Sequence, residues 1–318
     1  MRFVLLFVVP ILITHCNYSQ QKNKAEFEST ILSDAAQYDL SNDFFRTLIE
    51  EQKKLVAALT GSSKISPDRI IDKRWSLEEK SLVRIYLSDL IKGIHQIPTE
   101  HYYETKLPEK YKNNQLFKGV NLYTIIPSTV ASSEYVIIGA HYDTFKDTPG
   151  ADDNASGCAL VYGLGKMLTQ LEKRAKNIIL VFLDEEETGH AGSLAFANWV
   201  KAQEFDVHSV HTADEVGWDQ DQDRNIELEL PTPYLASLYR KHAQPFNIKL
   251  YQTKTTGSDH REFREAGFQA VGITEEYKNG DGNPHHHMHS DTFEKIDYQF
   301  LAFTTYLVFK VVEEVLSE

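Results

Sequence analysis

The chain has 318 residues, of which 42% are hydrophobic, a composition typical of a globular protein with a substantial core. Its 46 acidic and 33 basic residues give a net charge of −13 at pH 7, which argues against nucleic acid as a partner. The sequence contains no basic stripe, internal repeat or low-complexity tract. A chain of this size can fold without disulfide bonds, and it has only two cysteines.

The first twenty residues have the pattern of an export signal. Arg2 precedes an apolar run at 3–14, which is shorter than the ~20 apolar residues that a membrane-spanning helix needs. The run therefore predicts an exported protein that is secreted, periplasmic or lipid-anchored at the cell surface. Cys16 lies where bacterial lipoprotein signals place the acylated cysteine, but His15 departs from the small residue expected before it. Lipidation of Cys16 and an ordinary secretory signal are therefore alternatives.

Residues 21–103 carry helical spacing without candidate site residues. Apolar residues recur at i, i+3 and i+4 in the stretches 43–50 and 53–59, and Ser76 with Glu79 forms a capping-box pattern before a further helical stretch at 81–91. No long linker rich in Pro, Gly or Ser isolates these helices, so we predict that they pack on the main domain. The predicted organisation is a signal at 1–20, a helical segment at 21–103 and the main domain at 104–318.

From about residue 115 onward, strand and helix patterns alternate. The strands are fully apolar, which is typical of strands buried on both faces, and helices separate them. We predict an α/β fold with a mostly parallel central sheet and helices on both faces. The predicted strands are 122–126, 135–140, 178–183 and 270–274, and the predicted helices are 157–171, 189–200 and 298–316.

Potential metal ligands follow directly after the buried strand at 136–140. They are His141, Asp143, Asp152 and Asp153, and glycines on either side of the aspartates allow the chain to turn tightly. In open α/β sheets, ligands bind at the carboxyl ends of strands. Carboxylates that face a packed core are costly without a cation or another partner. The stretch therefore predicts a cation site at this edge of the sheet.

Three later segments supply further candidate ligands. The acidic run at 184–187 follows the strand at 178–183, Asp214 follows another strand-like stretch, and a histidine-rich loop surrounds His287. Acidic runs usually form solvated patches, but this one abuts a core strand. Histidine runs alone are weak evidence, because many bind metals adventitiously. Together the four segments offer imidazoles and hard carboxylates, the ligands that suit zinc.

With these segments in this order, the sequence resembles the di-zinc exopeptidases of clan MH, in peptidase family twenty-eight. That group includes secreted bacterial aminopeptidases, glutamate carboxypeptidase and glutaminyl cyclase. The resemblance extends from about residue 115 to the C-terminus and implies a zinc exopeptidase fold, of the phosphorylase/hydrolase-like kind, for the main domain. It rests on six motifs in the family's order: GAHYD at 139–143, GADDNASG at 150–157, EETGHAGS at 186–193, DEVG at 214–217, SDHREF at 258–263 and HMHSDT at 287–292.

The resemblance implies two zinc ions per chain. Asp153 would bridge them, because it stands immediately before Asn-Ala-Ser-Gly. His141 and Asp214 would complete one zinc site, and Glu187 and His287 the other. Cobalt or manganese would fit the same ligand types.

The same resemblance assigns the reacting groups. Glu186 matches the general base, which would act with a hydroxide that bridges the two zinc ions. Asp143 matches the carboxylate that accepts the other N–H of the ligand imidazole of His141. Similar proteins have a cis peptide after the bridging aspartate, which would be Asp153-Asn154 here.

Two runs leave the register of these assignments to be fixed. Counting back from Gly189 makes Glu185 a surface or supporting residue rather than a ligand. In the histidine loop, His287 has the family's spacing, and His289 is the alternative ligand. His285 is then a loop residue, and so is His286, which stands where the family often has a tyrosine.

The function that this resemblance implies is that of an aminopeptidase acting on peptide substrates. A single-zinc glutaminyl cyclase is the alternative within the family. A carboxypeptidase for acidic dipeptides would need basic residues near the site, for which Arg261 and Arg264 are candidates, and a non-catalytic binding protein would be expected to lose ligands. Candidates for an apolar pocket lining are Trp218, Tyr277 and Phe293.

Overall fold

The computed structural model describes residues 42–109 and 115–318, which form eight strands and seven α-helices. The predicted export signal, including Cys16, lies outside the described residues. The strands are β1 Thr99–Lys106, β2 Leu116–Ile126, β3 Glu134–His141, β4 Asn177–Leu183, β5 Asp206–Ala213, β6 Ile226–Glu229, β7 Leu250–Thr253 and β8 Ala270–Thr274. The helices are α1 Asp43–Leu59, α2 Leu77–Gly93, α3 Gly157–Gln170, α4 Ala191–Ala202, α5 Pro233–Ala243, α6 His260–Ala266 and α7 Tyr298–Ser317.

All the strands belong to one sheet with the order β1-β2-β4-β3-β5-β8-β6-β7. The central strands β4, β3, β5 and β8 run parallel to one another, and antiparallel pairs join β1 to β2, β2 to β4 and β6 to β8. This mostly parallel sheet with its helices confirms the predicted α/β class. The sequence analysis did not predict β6, β7, α5 or α6. The four-residue strands β6 and β7 and the seven-residue helix α6 carry too little periodicity to recognise.

Alternate residues of each strand point to opposite faces of the sheet, and helices pack on both faces. On β4, Ile179 and Val181 pack in one core cluster with Phe196 of α4. Leu180, between them, points instead to α3, where its side chain lies 2.6 Å from the position that a Cβ on Gly165 would occupy. Both faces of the central strands are therefore buried. Among the described residues, none of the helices combines the length and the apolar character that crossing a membrane requires.

The first helix, α1, packs against helix α7 through buried contacts. Gln52 of α1 donates a 2.7 Å hydrogen bond to Thr305 of α7, and both side chains are buried. The capping box predicted at the start of α2 is present, with Ser76 and Glu79 as its members. Residues 99–103, which the sequence assigned to the helical segment, instead begin strand β1. Strand β1 lies at the edge of the sheet, and Tyr103 is its one buried residue. This weak burial pattern explains why the sequence analysis missed the strand.

Arg74 ties the N-terminal helices to the loop that carries Asp153. Its side chain is completely buried, and its guanidinium donates hydrogen bonds only to backbone carbonyls among the described residues. The acceptors and distances are Tyr142 at 2.8 Å, Leu59 at 2.9 Å, Pro149 at 2.6 Å and Gly150 at 2.8 Å. Gly150 has φ +62°, and a Cβ there would lie 2.3 Å from the carbonyl of Asp153 and 2.8 Å from Arg74. Arginine and glycine thus shape this turn together.

We predict that Arg74→Ala lowers the free energy of unfolding by at least about 3 kcal/mol, because it leaves several buried carbonyl groups without a hydrogen-bond donor. Arg74→Lys should lose less, since it keeps the charge but not the planar array of donors. Urea denaturation followed by circular dichroism measures both. Arg69→Ala is the control, because the Arg69–Glu78 pair is exposed and should contribute at most about 1 kcal/mol. Equal losses at positions 69 and 74 would contradict the role given to Arg74.

Candidate metal centre

The candidate ligands converge because the carboxyl ends of adjacent parallel strands meet at one edge of the sheet. His141 is the last residue of β3 and lies opposite Leu183, the last residue of β4, so the acidic run starts beside it. Asp214 directly follows β5. Asp153 lies in the segment Ala151–Ser156, which leads into α3 and has a non-helical backbone at Asp153 and Asn154.

One group of ligand atoms surrounds the imidazole of His141. Its Nε2 lies 3.3 Å from Oδ1 of Asp153 and 3.2 Å from Oδ1 of Asp214. The imidazole is fully buried, and the three side chains offer ligand atoms within 4.8 Å of one another. This is the spacing that a shared cation requires.

A second group forms around His287. Its Nε2 lies 3.2 Å from Oδ2 of Asp153 and 3.1 Å from Oε2 of Glu187. The ring stacks on Phe145 with 4.2 Å between centroids, and the backbone of His287 adopts a positive φ of 57°. The two oxygens of Asp153 therefore face different imidazoles, one in each group.

The donor set fits zinc on an observation independent of the resemblance. Glu187 Oε1 is buried and has no hydrogen-bond partner in the described part of the chain. A buried carboxylate oxygen without a partner is costly, and a cation would remove that cost. Neutral imidazoles with carboxylates are the ligands that zinc takes in proteins.

The pKa values of the carboxyl groups reflect the same accumulation of charge. Burial alone would raise the pKa of Asp153, but the imidazoles of His141 and His287 outweigh it and hold that pKa well below its usual range. Burial, followed by the charge of Asp153, raises the pKa of Glu187 to about 9. The pKa values of the Asp153 and Glu187 carboxyl groups thus differ widely, and the negative charge of Asp153 contributes to the raised value of Glu187.

Asp143 fixes the neighbouring elements in place. Its carboxylate accepts backbone hydrogen bonds from Glu186 at 3.2 Å and Glu187 at 3.3 Å. Its Oδ1 also lies 3.4 Å from Nδ1 of His141, and its own carbonyl oxygen lies 3.3 Å from the same nitrogen. Asp143 therefore orients both an imidazole and the start of the acidic run.

Further buried carboxyl groups support the turn that carries Asp153. Asp291 accepts hydrogen bonds from the backbone N–H groups of Asp152 and Asp153 at 2.9 and 3.1 Å. The side chain of Asp152 accepts from the amide of Gly217 and from Asn283, each at 2.7 Å. The peptide bond from Asp153 to Asn154 is cis, as the resemblance implied. Sequence reasoning did not assign this role to Asp291, although its motif was recognised.

Glu186 is nearly buried beside the candidate ligands, and its carboxylate contacts a histidine that sequence reasoning missed. Oε1 of Glu186 lies 3.1 Å from Nε2 of His190. Burial raises the pKa of Glu186, while the hydrogen bond from His190 acts in the opposite direction. The spacing of four residues between them is the signal that was available in the sequence. Glu185 points elsewhere and pairs with Lys80 of α2.

Of the other loop histidines, His286 lies beside the second group, where it could share a metal ion with Asp153 and His287. His286 Nδ1 lies 2.8 Å from Oε1 of Glu215, and its ring stacks on His287. His285 contacts Ser290 at 2.8 Å. His289 is exposed.

A cleft of about 370 Å³ opens over these groups. Carboxylates, hydroxyls and imidazoles contribute to its lining, and so does one of the three aromatic residues named from the sequence. Tyr277 lines the cleft, but Trp218 and Phe293 do not. Trp218 instead donates its indole N–H to Asp281 at 3.3 Å, and Phe293 packs on Tyr298.

Comparison with known proteins identifies the family. The family model described as "Peptidase family M28" matches residues 121–312, which is more than half of the chain. The chain belongs to peptidase family M28. Aminopeptidase YwaD of Bacillus subtilis (strain 168) is 26% identical to it over 198 residues, which cover 60% of this chain and 43% of that protein. The chain thus matches less than half the length of that M28 relative.

Solved structures share the M28 fold at low sequence identity. The structure of BSAP, a zinc aminopeptidase from Bacillus subtilis, superposes with a TM-score of 0.74 at 14% identity and covers 84% of this chain and 95% of that one. Porphyromonas gingivalis glutaminyl cyclase superposes with a TM-score of 0.67 at 15% identity, covering 84% and 98% of the two chains. At these identities the likeness describes the fold.

We predict that added zinc stabilises the M28 chain and that His141→Ala weakens this effect. A ligand at 100 times its dissociation constant stabilises a folded protein by about 2.7 kcal/mol, so the melting temperature should rise by several degrees. Differential scanning fluorimetry with and without zinc measures the shift. His285→Ala is the matched control, because it removes a histidine of the loop outside both ligand groups. Equal zinc shifts in wild type and His141→Ala would contradict the assignment.

Proposed function

We propose that this M28 protein is a zinc-dependent aminopeptidase that hydrolyses N-terminal residues from peptides with two zinc ions per chain. The observation that carries the proposal is the position of Asp153 between two imidazoles, with one carboxylate oxygen toward each. Asp214 adds a carboxylate to the first group and Glu187 to the second. The names of the relatives, aminopeptidase YwaD and the zinc aminopeptidase BSAP, support the same activity.

In this proposal His141, Asp153 and Asp214 hold one zinc ion, and Asp153, Glu187 and His287 hold the other. Zinc, when bound, polarises the scissile carbonyl and makes water a stronger acid near neutral pH. The protein's contribution is to keep the carboxylate ligands ionised and to present each imidazole ligand through one ring nitrogen. Asp143 serves this end by accepting from Nδ1 of His141, which leaves Nε2 as the coordinating atom.

Glu186 is the proposed general base. It accepts the proton of the attacking water and then passes it to the nitrogen of the leaving amine. Its burial favours this role, because a raised carboxyl pKa lies closer to the working pH. His190 lies within hydrogen-bond distance of Glu186 and orients the carboxylate as it exchanges the proton.

The acidity of the cleft suits a substrate with a free N-terminus. The carboxylates that line it include Glu186, Asp214 and Glu215, and a protonated amine entering there gains favourable interactions. Glutaminyl cyclase is the alternative, and one ligand group would serve its single zinc. The presence of both ligand groups, that of His141 and Asp214 as well as that of Glu187 and His287, favours the aminopeptidase.

We also propose export, directed by residues 1–20, to the cell surface or beyond, with lipidation of Cys16 as a possible tether. Peptides outside the cytoplasm would then be the substrates. Mass spectrometry of the mature protein measures the N-terminus and any acyl group.

We predict that Glu186→Gln lowers kcat for an aminoacyl-p-nitroanilide about 10²- to 10⁴-fold, the range attributed to general acid–base catalysis. The variant should keep its zinc content, because Glu186 is not a proposed ligand. Glu185→Gln is the matched control, since it neutralises the adjacent carboxylate and should change kcat far less. Cyclisation of an N-terminal glutamine, assayed in parallel, tests the alternative. An active Glu186→Gln enzyme, or cyclisation without hydrolysis, would contradict the proposal.

A further inference from the structure

A carboxylate that is not among the proposed metal ligands also lines the cleft. Glu229, the last residue of β6, is only 5% exposed, yet its side chain contributes to the wall of the cleft. Thr274 at the end of β8 and Ser258 before α6 belong to the same wall. The cleft volume of about 370 Å³ lies within the ~300–1,000 Å³ typical of ligand pockets. One continuous cleft therefore joins the candidate metal ligands to a buried acid.

Gly272 makes room for that acid. It lies opposite Glu229 in the antiparallel pairing of β8 with β6. A Cβ at position 272 would be 2.9 Å from Oε2 of Glu229 and 2.6 Å from Nδ1 of His260. Any larger residue would push the carboxylate and the imidazole out of their positions. The space occupied by Glu229 is therefore built into the backbone of the sheet.

The neighbouring imidazole does not supply Glu229 with a donor. His260 is completely buried, and its Nε2 lies 2.9 Å from the carbonyl oxygen of Thr255. A carbonyl only accepts hydrogen bonds, so Nε2 carries the proton of the neutral ring. Nδ1 is then an acceptor, and it faces Oε2 of Glu229 at 3.4 Å. An ionised Glu229 thus meets a second acceptor instead of a donor.

No lysine or arginine among the described residues forms an ion pair with Glu229. Lys278 lines the same cleft, but its exposed side chain places Nζ 4.3 Å from the centre of the Tyr277 ring. Burial and the charges of Asp214 and Glu227 raise the pKa of Glu229 to about 8, although the charge of Lys278 acts in the opposite direction. A cation delivered by a ligand would offset each of these effects.

A second polar atom in the wall also lacks a partner. Ser258 is 5% exposed, and its Oγ has no hydrogen-bond partner in the described part of the chain. A hydroxyl can accept as well as donate, and an ammonium or guanidinium group carries several donors. Glu229 and Ser258 together therefore present acceptors suited to a group that is both cationic and rich in N–H bonds.

We propose that this wall is the subsite for the side chain of the substrate's N-terminal residue and that Glu229 makes it select lysine or arginine. The inference rests on the proposed aminopeptidase function and specifies its substrate class. Burial of an apolar side chain against Glu229 would leave the carboxylate without donors, whereas a basic side chain satisfies it. Selection thus comes from a cost imposed on neutral side chains as well as from the ion pair.

The first test compares kcat/KM of the zinc-loaded protein for lysine, arginine, leucine and glutamate p-nitroanilides. We expect wild type to favour lysine and arginine, and Glu229→Gln to lower their kcat/KM roughly 10- to 100-fold while leucine changes by less than about threefold. Glu229→Leu should shift the preference toward leucine. Glu104→Gln, an exposed acid on β1, is the control and should leave all four values unchanged.

The second test separates the subsite from catalysis. Calorimetry on the zinc-loaded Glu186→Gln protein gives dissociation constants for L-lysinamide and L-leucinamide. Tighter binding of lysinamide that is lost in Glu186→Gln/Glu229→Gln would support the subsite even if wild type hydrolysed no anilide, in which case the aminopeptidase proposal alone would fail. Equal binding of the two amides would overturn the subsite. So would a wild-type preference for leucine, or one for glutamate that Lys278→Met abolishes.

Discussion

The structure depends on like charges that are held together at one edge of a parallel sheet. Asp153, Glu187 and Asp214 reach the same point because β3, β4 and β5 end side by side. Coulombic repulsion between carboxylates at such distances is large in a buried setting. A cation that converts this repulsion into attraction explains why the sequence concentrates acids there. The same argument explains why imidazoles, which can bind zinc through a ring nitrogen, lie between the carboxylates.

The surrounding residues make this charge density tolerable by fixing backbone groups around it. Asp143 and Asp291 accept N–H groups from the segments that carry the ligands. Arg74 lies beneath the turn at Gly150 and donates to its carbonyls from a side chain with no exposed surface. The connection between α1 and α2 thus contributes to the site through the buried guanidinium of Arg74, although it supplies none of the candidate ligands.

Much of this arrangement could be predicted from the sequence because it depends on local patterns. Apolar strands followed at once by acids located His141 and Asp153, and six motifs in order pointed to the family. The short strands β6 and β7 could not be predicted, since four residues carry no reliable periodicity. Glu229 was missed for the same reason. Its importance arises from its neighbours Gly272 and His260, which are distant in sequence and meet it only through strand pairing.

The cleft lining illustrates the limit of resemblance. Family motifs identify groups that act on the shared part of a substrate, whereas pocket walls come from loops and strand ends that motifs do not cover. The aromatic residues Trp218 and Phe293 therefore seemed suitable from sequence alone but point to other contacts. The wall that contains Glu229, Ser258 and Thr274 is polar instead.

Anomalous diffraction at the zinc edge from crystals of the zinc-loaded protein tests the central claim most directly. The account predicts two zinc peaks per chain, with Asp153 between them, His141 and Asp214 beside one, and Glu187 and His287 beside the other. A single peak at this edge of the sheet, or peaks held by other residues such as His289, would contradict it.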